Sequence, residues 1–479
     1  MSNEENNNEL INPEPNNSEP LLKVENNKSD YKKKLIIIGT LILIILILIT
    51  VILFFIFKEP LSDSKNYVIS KLYIEFPKNE TKIFHITFLD LIKSIKIDGK
   101  SVDINNIQTF KNKGNHTIEL HFKNELISLD KLFYKVNTLI EVDFSNLISN
   151  KIETTSDMFK GCTNLKEINF INFDTSKIYN ISNMFSGCAS LTSINLSIFE
   201  NGILKDIYGL FSGCEKLTEI NFDKFNTKNV LNMSNLFSEC KSLKEIHLNN
   251  IVTDNVIDMS NMFYGCSSLL SINLDNFKTS KVYDMFGMFD GCKSIQSLNL
   301  NNFDTKNVQN MYFMFADCIS LISLDIQNFD TSNVIDMFGM FKNCQKLQHL
   351  DISYFKINNV KDIGDIFGNC SLLEYINLNN LNSEKLEYMT GMFENCSSLP
   401  SLNLSSFNTK NVIDASFLLN ECKNLKTIDF SQFDTSNLKY YDYIFNGLPE
   451  NGTLIYNSEI FMDNLTQLLP LNWTLEDIK

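Results

Sequence analysis

Arginine is missing from this chain. None of the 479 residues is an arginine, so the 42 basic residues are all lysines, set against 57 acidic ones for a formal charge of −15. Without planar guanidinium forks for phosphates and base edges, and with negative charge in excess, the chain is a poor fit to nucleic acid. Tryptophan occurs once, at Trp473. Histidine is scarce and scattered: His85, His116 and His121 lie in one N-terminal stretch, His247 and His349 far apart beyond it. There is no C-x-x-C pair, H-E-x-x-H, P-loop, G-x-G-x-x-G or nucleophile elbow. No metal, cofactor or catalytic constellation is therefore expected, and the chain reads as a non-enzyme.

What is present is a period. All eleven cysteines, Cys162, Cys188, Cys214, Cys240, Cys266, Cys292, Cys318, Cys344, Cys370, Cys396 and Cys422, recur at intervals of 26 residues without insertion or deletion. A phenylalanine column runs beside them from Phe133 to Phe445, broken once by Leu419. Twelve periods separate its ends, giving thirteen units, the outermost with Val136 and Leu448 in place of cysteine. Such self-similarity marks a stacked repeat array.

Within a unit the pattern has two halves. After Cys266 come Leu269, Ile272, Leu274 and Phe277, whose central alternation reads as a short strand. Before it, Val256, Met259, Met262, Phe263 and Cys266 stand three to four residues apart, which predicts a helix of under two turns. Asp258 and its equivalents Asn232, Asp284, Asn310 and Asp336 sit where an N-cap belongs. The residue before each cysteine is usually Gly or Asn, as a left-handed helix end requires. Stacked copies would place Leu on Leu and Phe on Phe. Disulfides between neighbouring strands are sterically conceivable, but the odd count favours a ladder of buried free thiols.

The run Asn-Phe-Asp-Thr-Ser-Asn-Val-Ile-Asp-Met-Phe-Gly-Met-Phe at 328–341, followed by Cys344 and Leu347, resembles the units of BspA-type leucine-rich-repeat surface proteins. That resemblance covers about 320 residues, from near Phe133 to the C-terminal cap, and implies a curved solenoid on a cell surface, used in adhesion or protein binding. The expected fold is thus an α/β leucine-rich-repeat solenoid with one short strand and one short helix per repeat, preceded by a small β module and a single transmembrane helix.

In chain order, residues 1–34 are rich in Asn and Glu and read as a disordered cytoplasmic tail. Leu35–Phe57 is a 23-residue apolar run without charge, long enough to cross a bilayer. Lys32, Lys33 and Lys34 on its N-terminal side predict a signal-anchor with the N-terminus in the cytoplasm, a type II single-pass cell-membrane protein with an extracellular repeat domain. A linker, 58–65, leads to a β-rich cap module, 66–130, with strand patterns at Lys71–Phe76, Ser94–Asp98 and His116–Phe122. The solenoid then spans 131–448, and a C-terminal cap, 449–479, holds Trp473 as a buried residue.

Two surfaces are candidates for an extracellular protein or matrix ligand. On the outer side of the strands a polar column includes Asp325 and Asp351, with His349 and Tyr375 on the adjacent column; it is expected to line the concave face. On the helical side, a position usually held by Ser carries Phe286, Tyr312 and Phe338 in three successive units, which should form a partly exposed aromatic stripe. Sequons at Asn79, Asn115, Asn180, Asn232, Asn451, Asn464 and Asn472 would make the chain a glycoprotein in a eukaryotic secretory pathway. The abundance of Asn, Ile, Lys and Phe reads as AT-rich codon bias, which lowers the weight of any one asparagine. A passive coat or spacer without a ligand is the competing function.

Overall fold

Each 26-residue period closes one turn of a parallel β-solenoid. The computed structural model describes Thr40, residues 65–381 and residues 384–479. Apart from Thr40, the expected tail and the apolar run Leu35–Phe57 lie outside the described residues. Among the described residues no helix is long and apolar enough to cross a membrane. Lys65–Lys479 forms one compact unit and is described by itself.

That unit begins with strands on the three alternating segments and three shorter strands between them that no alternation marks. β1 (Tyr67–Ile74), β2 (Glu80–Lys82), a 3-10 turn (Ile86–Leu91), β3 (Ile92–Ile97), β4 (Lys100–Val102), β5 (Ile107–Thr109) and β6 (Gly114–Phe122) make an antiparallel module. Its sheet does not stop at the array. β1 pairs antiparallel with β7 (Leu139–Asp143), which pairs parallel with β8 (Glu167–Asn169), so one six-stranded sheet, β4-β3-β6-β1-β7-β8, runs from module into solenoid. The first open strand edge of the array is thereby hydrogen-bonded rather than bare.

Onward strands are three or four residues long because each turn offers only one alternating stretch: β9 (Ser193–Asn195), β10 (Glu219–Asn221), β11 (His349–Asp351), β12 (Tyr375–Asn377), β13 (Ser401–Asn403) and β14 (Thr427–Phe430). They pair parallel and in register, 26 residues apart, as in Glu219 with Ser193 and His349 with Tyr375. At the far end β15 (Asn451–Tyr456) and, after α1 (Asp463–Thr466), β16 (Asn472–Asp477) extend the sheet of β13 and β14. Trp473 is buried there, its ring over Gly452 and its indole N–H donating to the Pro449 carbonyl at 2.9 Å.

The expected helix in each unit is absent, and a ladder of tight turns replaces it. In the unit of Cys266, the N–H groups of Met262, Tyr264 and Cys266 bond back three residues, to the carbonyls of Met259, Asn261 and Phe263. The alternate N–H groups, of Met259, Asn261, Phe263 and Gly265, donate instead to the next turn, at Asp284, Phe286, Met288 and Asp290. Two residues of each ladder hold positive φ, here Asn261 at 53° and Gly265 at 67°. A left-handed residue every fourth position breaks the right-handed winding each time it starts, so no i to i−4 bond can form. The apolar residues still point inward as expected: Met259, Met262, Phe263 and Cys266 are all fully buried.

The core is a set of columns. Successive rings of the Phe column stack at 5.3–5.9 Å between centroids from Phe133 to Phe393. All eleven cysteines are buried free thiols. Each Sγ lies within hydrogen-bonding distance of a phenylalanine carbonyl one turn back, as in Cys266 to Phe237 at 3.1 Å, and burial pushes the Cys266 thiol up to about 12.

Candidate interaction surface

The turn ladder builds the aromatic stripe. In most units its outward position is filled by a small residue, and Ser156 and Ser182, for instance, bond each other at 3.0 Å. In three successive turns it carries Phe286, Tyr312 and Phe338, all half-buried. The backbone beneath is fixed from both sides. Asp284, Asn310 and Asp336 accept the N–H of Phe286, Tyr312 and Phe338 at 2.8, 3.0 and 3.1 Å. The three carbonyls accept from Asn261, Gly287 and Phe313 of the preceding turns. With the backbone held at a one-turn spacing the rings stack, Phe286 on Tyr312 at 5.4 Å and Tyr312 on Phe338 at 5.3 Å, with planes 28° and 20° apart.

Sequence reasoning missed a fourth ring. Phe313 meets Tyr312 edge-on at 4.3 Å and Phe338 at 5.6 Å. It occupies the left-handed column of Asn261, where other units place Asp157, Asn183, Gly209, Asn235, Gly287, Gly339, Asp365 or Gly391. At φ 54° a phenylalanine backbone is strained, by roughly 1–2 kcal/mol. Its ring lies so close over Gly339 that a Cβ there would fall 2.1 Å from Cε1. The signal was available: a column of Asn, Asp and Gly interrupted by an aromatic. It is interrupted again by Phe417 and Tyr443, which stack on each other at 5.1 Å.

Three residues ahead of the ring column, on the same ladder, Ile257, Tyr283 and Ile335 are exposed at 39%, 43% and 57% and extend the apolar area. Carboxylates surround it. Asp336 and Asp362 are pushed up from the ordinary carboxylate range, chiefly by burial. Burial, and then repulsion from Asp336 and Asp362, raises the Tyr312 phenol. Lys342 is the basic group nearby and is paired with Asp365 at 2.6 Å.

The strand-side candidates come out differently. His349 and Tyr375 stand side by side on β11 and β12, both exposed. The polar column beside them, however, makes turns. Asp351 accepts from the Ser353 N–H at 2.9 Å and its hydroxyl at 2.7 Å, Asp325 from the Gln327 N–H at 3.3 Å, and Asn273 and Asn403 repeat the contact. Burial raises the Asp351 carboxyl, but the Ser353 and Asn377 hydrogen bonds outweigh it and hold the group below its usual range. This column closes the turn after the strand position, and the stripe and the strand-side residues are not brought together.

Of the sequons, Asn79, Asn115, Asn451, Asn464 and Asn472 are exposed. Asn180 and Asn232 are half-buried, each accepting the N–H two residues on, from Ser182 and Ser234. Among the described residues no group of His, Cys, Asp and Glu is arranged to hold a metal.

Comparison with known proteins finds the family DUF285, described as "Mycoplasma protein of unknown function", in overlapping matches at 127–249, 205–299, 232–349, 257–374, 284–402 and 366–453. No curated protein matches. Among solved structures, the leucine-rich repeat protein TpLRR of T. pallidum is similar at 19% identity and a TM-score of 0.19, over 47% of this chain and 72% of that one. The functional domain of InlJ from Listeria monocytogenes, described as including a cysteine ladder, is similar at 13% identity and a TM-score of 0.20, over 69% and 68%.

Proposed function

We propose, for a chain that belongs to the DUF285 family, that it is a membrane-anchored cell-surface solenoid that binds a protein or matrix partner and has no catalytic role. The observation behind this reading is the stripe of Phe286, Tyr312 and Phe338, backed by the strained Phe313. In most other units a small residue meets the needs of the same backbone, with Tyr208 an isolated ring, so the fold does not call for three stacked rings there. Contiguous apolar surface held in place by a rigid scaffold is characteristic of contact sites. Anchoring would come from Leu35–Phe57 with Lys32–Lys34 on the cytoplasmic side, the topology in which the repeat domain faces outward. The F-D-T-S-x-V repeat spacing supports a surface adhesion role of the BspA type.

A second reading, a passive coat or spacer, is favoured by the polar column of the sheet, whose members are occupied in turns. Adhesion of cells displaying the full-length chain separates the two. Replacing Phe286, Tyr312 and Phe338 together by Ser, the residue other units carry, should reduce attachment at least tenfold. Unchanged attachment with normal surface display would leave the coat reading standing.

A further inference from the structure

We infer that the partner presents to the stripe a basic protein segment in which lysine or arginine side chains alternate with apolar ones. The inference rests on the stripe being a contact surface and adds the chemistry of what it contacts.

Ring geometry comes first. Phe286, Tyr312 and Phe338 are stacked on one another at 5.4 and 5.3 Å, and Phe313 closes on the edge of Tyr312 at 4.3 Å. Phe338 leans on Gly364, where a Cβ would stand 2.9 Å from its Cε2. Both faces of Tyr312 and one face each of Phe286 and Phe338 are thus taken up within the cluster, which leaves ring edges as the larger part of its free surface. A sugar stacks on a face and a cation binds over one, so neither finds its usual seat. Edges instead suit apolar side chains, and any cation must be met by the carboxylates.

Those carboxylates are more charged than the fold requires. Asp284, Asp336 and Asp362 each use one oxygen to accept a backbone N–H two residues on, at 2.8, 3.1 and 2.7 Å. Asn180, Asn232 and Asn310 perform the same task in the same column with no charge. Asp is therefore dispensable to the turn, yet it flanks the rings. Asp258 lies beside Asp284, Asp362 is opposed by Asp336, Asp365 and Asp414, and the nearby Lys342 is taken by Asp365. Burial and this mutual repulsion push Asp284 and Asp362 up, and burial does the same to Asp336; an arriving cation would relieve the repulsion. The chain as a whole carries −15, which steers a basic partner toward it.

The test uses the full-length chain and a short fluorescent peptide alternating lysine and leucine, with versions carrying serine or glutamate for lysine. The lysine peptide should bind at least about tenfold more tightly than the serine peptide, and the glutamate peptide more weakly than both. Asp336→Asn with Asp362→Asn keeps the turn chemistry, and should weaken the lysine peptide about tenfold while leaving the serine peptide as it was. Asp174→Asn with Asp434→Asn removes equal charge from turns elsewhere and should change neither affinity. If the first pair has no effect, or the second weakens the lysine peptide as much, recognition of a basic segment by this site is overturned. The reading of the stripe as a contact surface then stands or falls separately. Phe286→Ser with Tyr312→Ser and Phe338→Ser must abolish binding of the lysine and serine peptides alike, and if it does not, the stripe is not the contact and both readings fail.

Discussion

Individual side chains hold neighbouring turns together more than they face outward. Thr279 is buried, and its hydroxyl donates to the Asp304 carbonyl at 2.9 Å while accepting the Asp304 N–H at 2.8 Å. Asn302 spreads one amide over the carbonyls of Leu274, Asp275 and Phe277. The abundance of asparagine does not say where it sits, and this role was hidden because a hydrogen bond across turns leaves no trace beyond the column itself. Asp290, like Asp284, Asp336 and Asp362, works against the fold. Burial, then repulsion from Asp317 and Glu239, raises its carboxyl from 3.8 to about 7, with Lys293 opposing. Since the folded chain keeps this proton to higher pH than the unfolded one, stability contributed here is full below about pH 4, falls between pH 4 and 7, and stays low above. Asp290→Asn should therefore stabilise the protein at pH 8, by about 1–2 kcal/mol after solvent screening is allowed for, and give no gain at pH 4. Thermal melts at the two pH values measure this; equal shifts at both would refute it.

At the scale of the element, the buried columns were legible and so were the strands of most units, although 245–247, 271–273, 297–299 and 323–325 form no strand beyond a single bridge of Asn299 to Asp325, and the helix was not there to be read. A spacing of three and four residues suits a helix, but it equally suits a chain that bends back every three residues and returns the same side chains to the core. Val256, Met259, Met262, Phe263 and Cys266 are buried in either case. What distinguishes the two is the column of Asn261, four residues before Gly265. A helix shorter than two turns cannot hold left-handed residues at both places, whereas alternate bonding to the next turn needs them. The Asp258 column kept the chemistry expected of it, accepting the N–H two residues on, without a helix following. One substitution separates the alternatives. Asn261→Ala would stabilise a helix by some tenths of a kcal/mol, but should cost about 1 kcal/mol at φ 53°, while Asn261→Gly should be neutral or better. Unfolding midpoints in urea decide it, and a more stable alanine variant would restore the helix. The site was legible to the same degree: three rings stood out against serine, while Phe313 did not, because its position looked like the exposed side of a helix.

For the described unit as a whole, stability is a sum of turns and the contacts between neighbours, sealed by the antiparallel module at one end and by β15, α1 and β16 at the other. In such a sum, phase matters more than length. Deleting residues 215–240 removes one whole period and joins Cys214 to Lys241, which occupies the place Glu215 had. The segment 245–247, one period after β10, then falls opposite β9, the cysteine and phenylalanine columns close up, and the stripe at Phe286, Tyr312 and Phe338 is untouched. Such a chain should fold, with its melting temperature within a few degrees of the parent's, and should retain attachment. Deleting only 215–227 removes half a period, placing polar positions opposite Phe211 and Cys214, and should abolish the cooperative melt and attachment together. Tolerance of both deletions would mean that the turns do not depend on matched columns. Failure of the whole-period deletion would mean that the stack is not modular, and in either event the rigid presentation of the stripe would lose its physical basis.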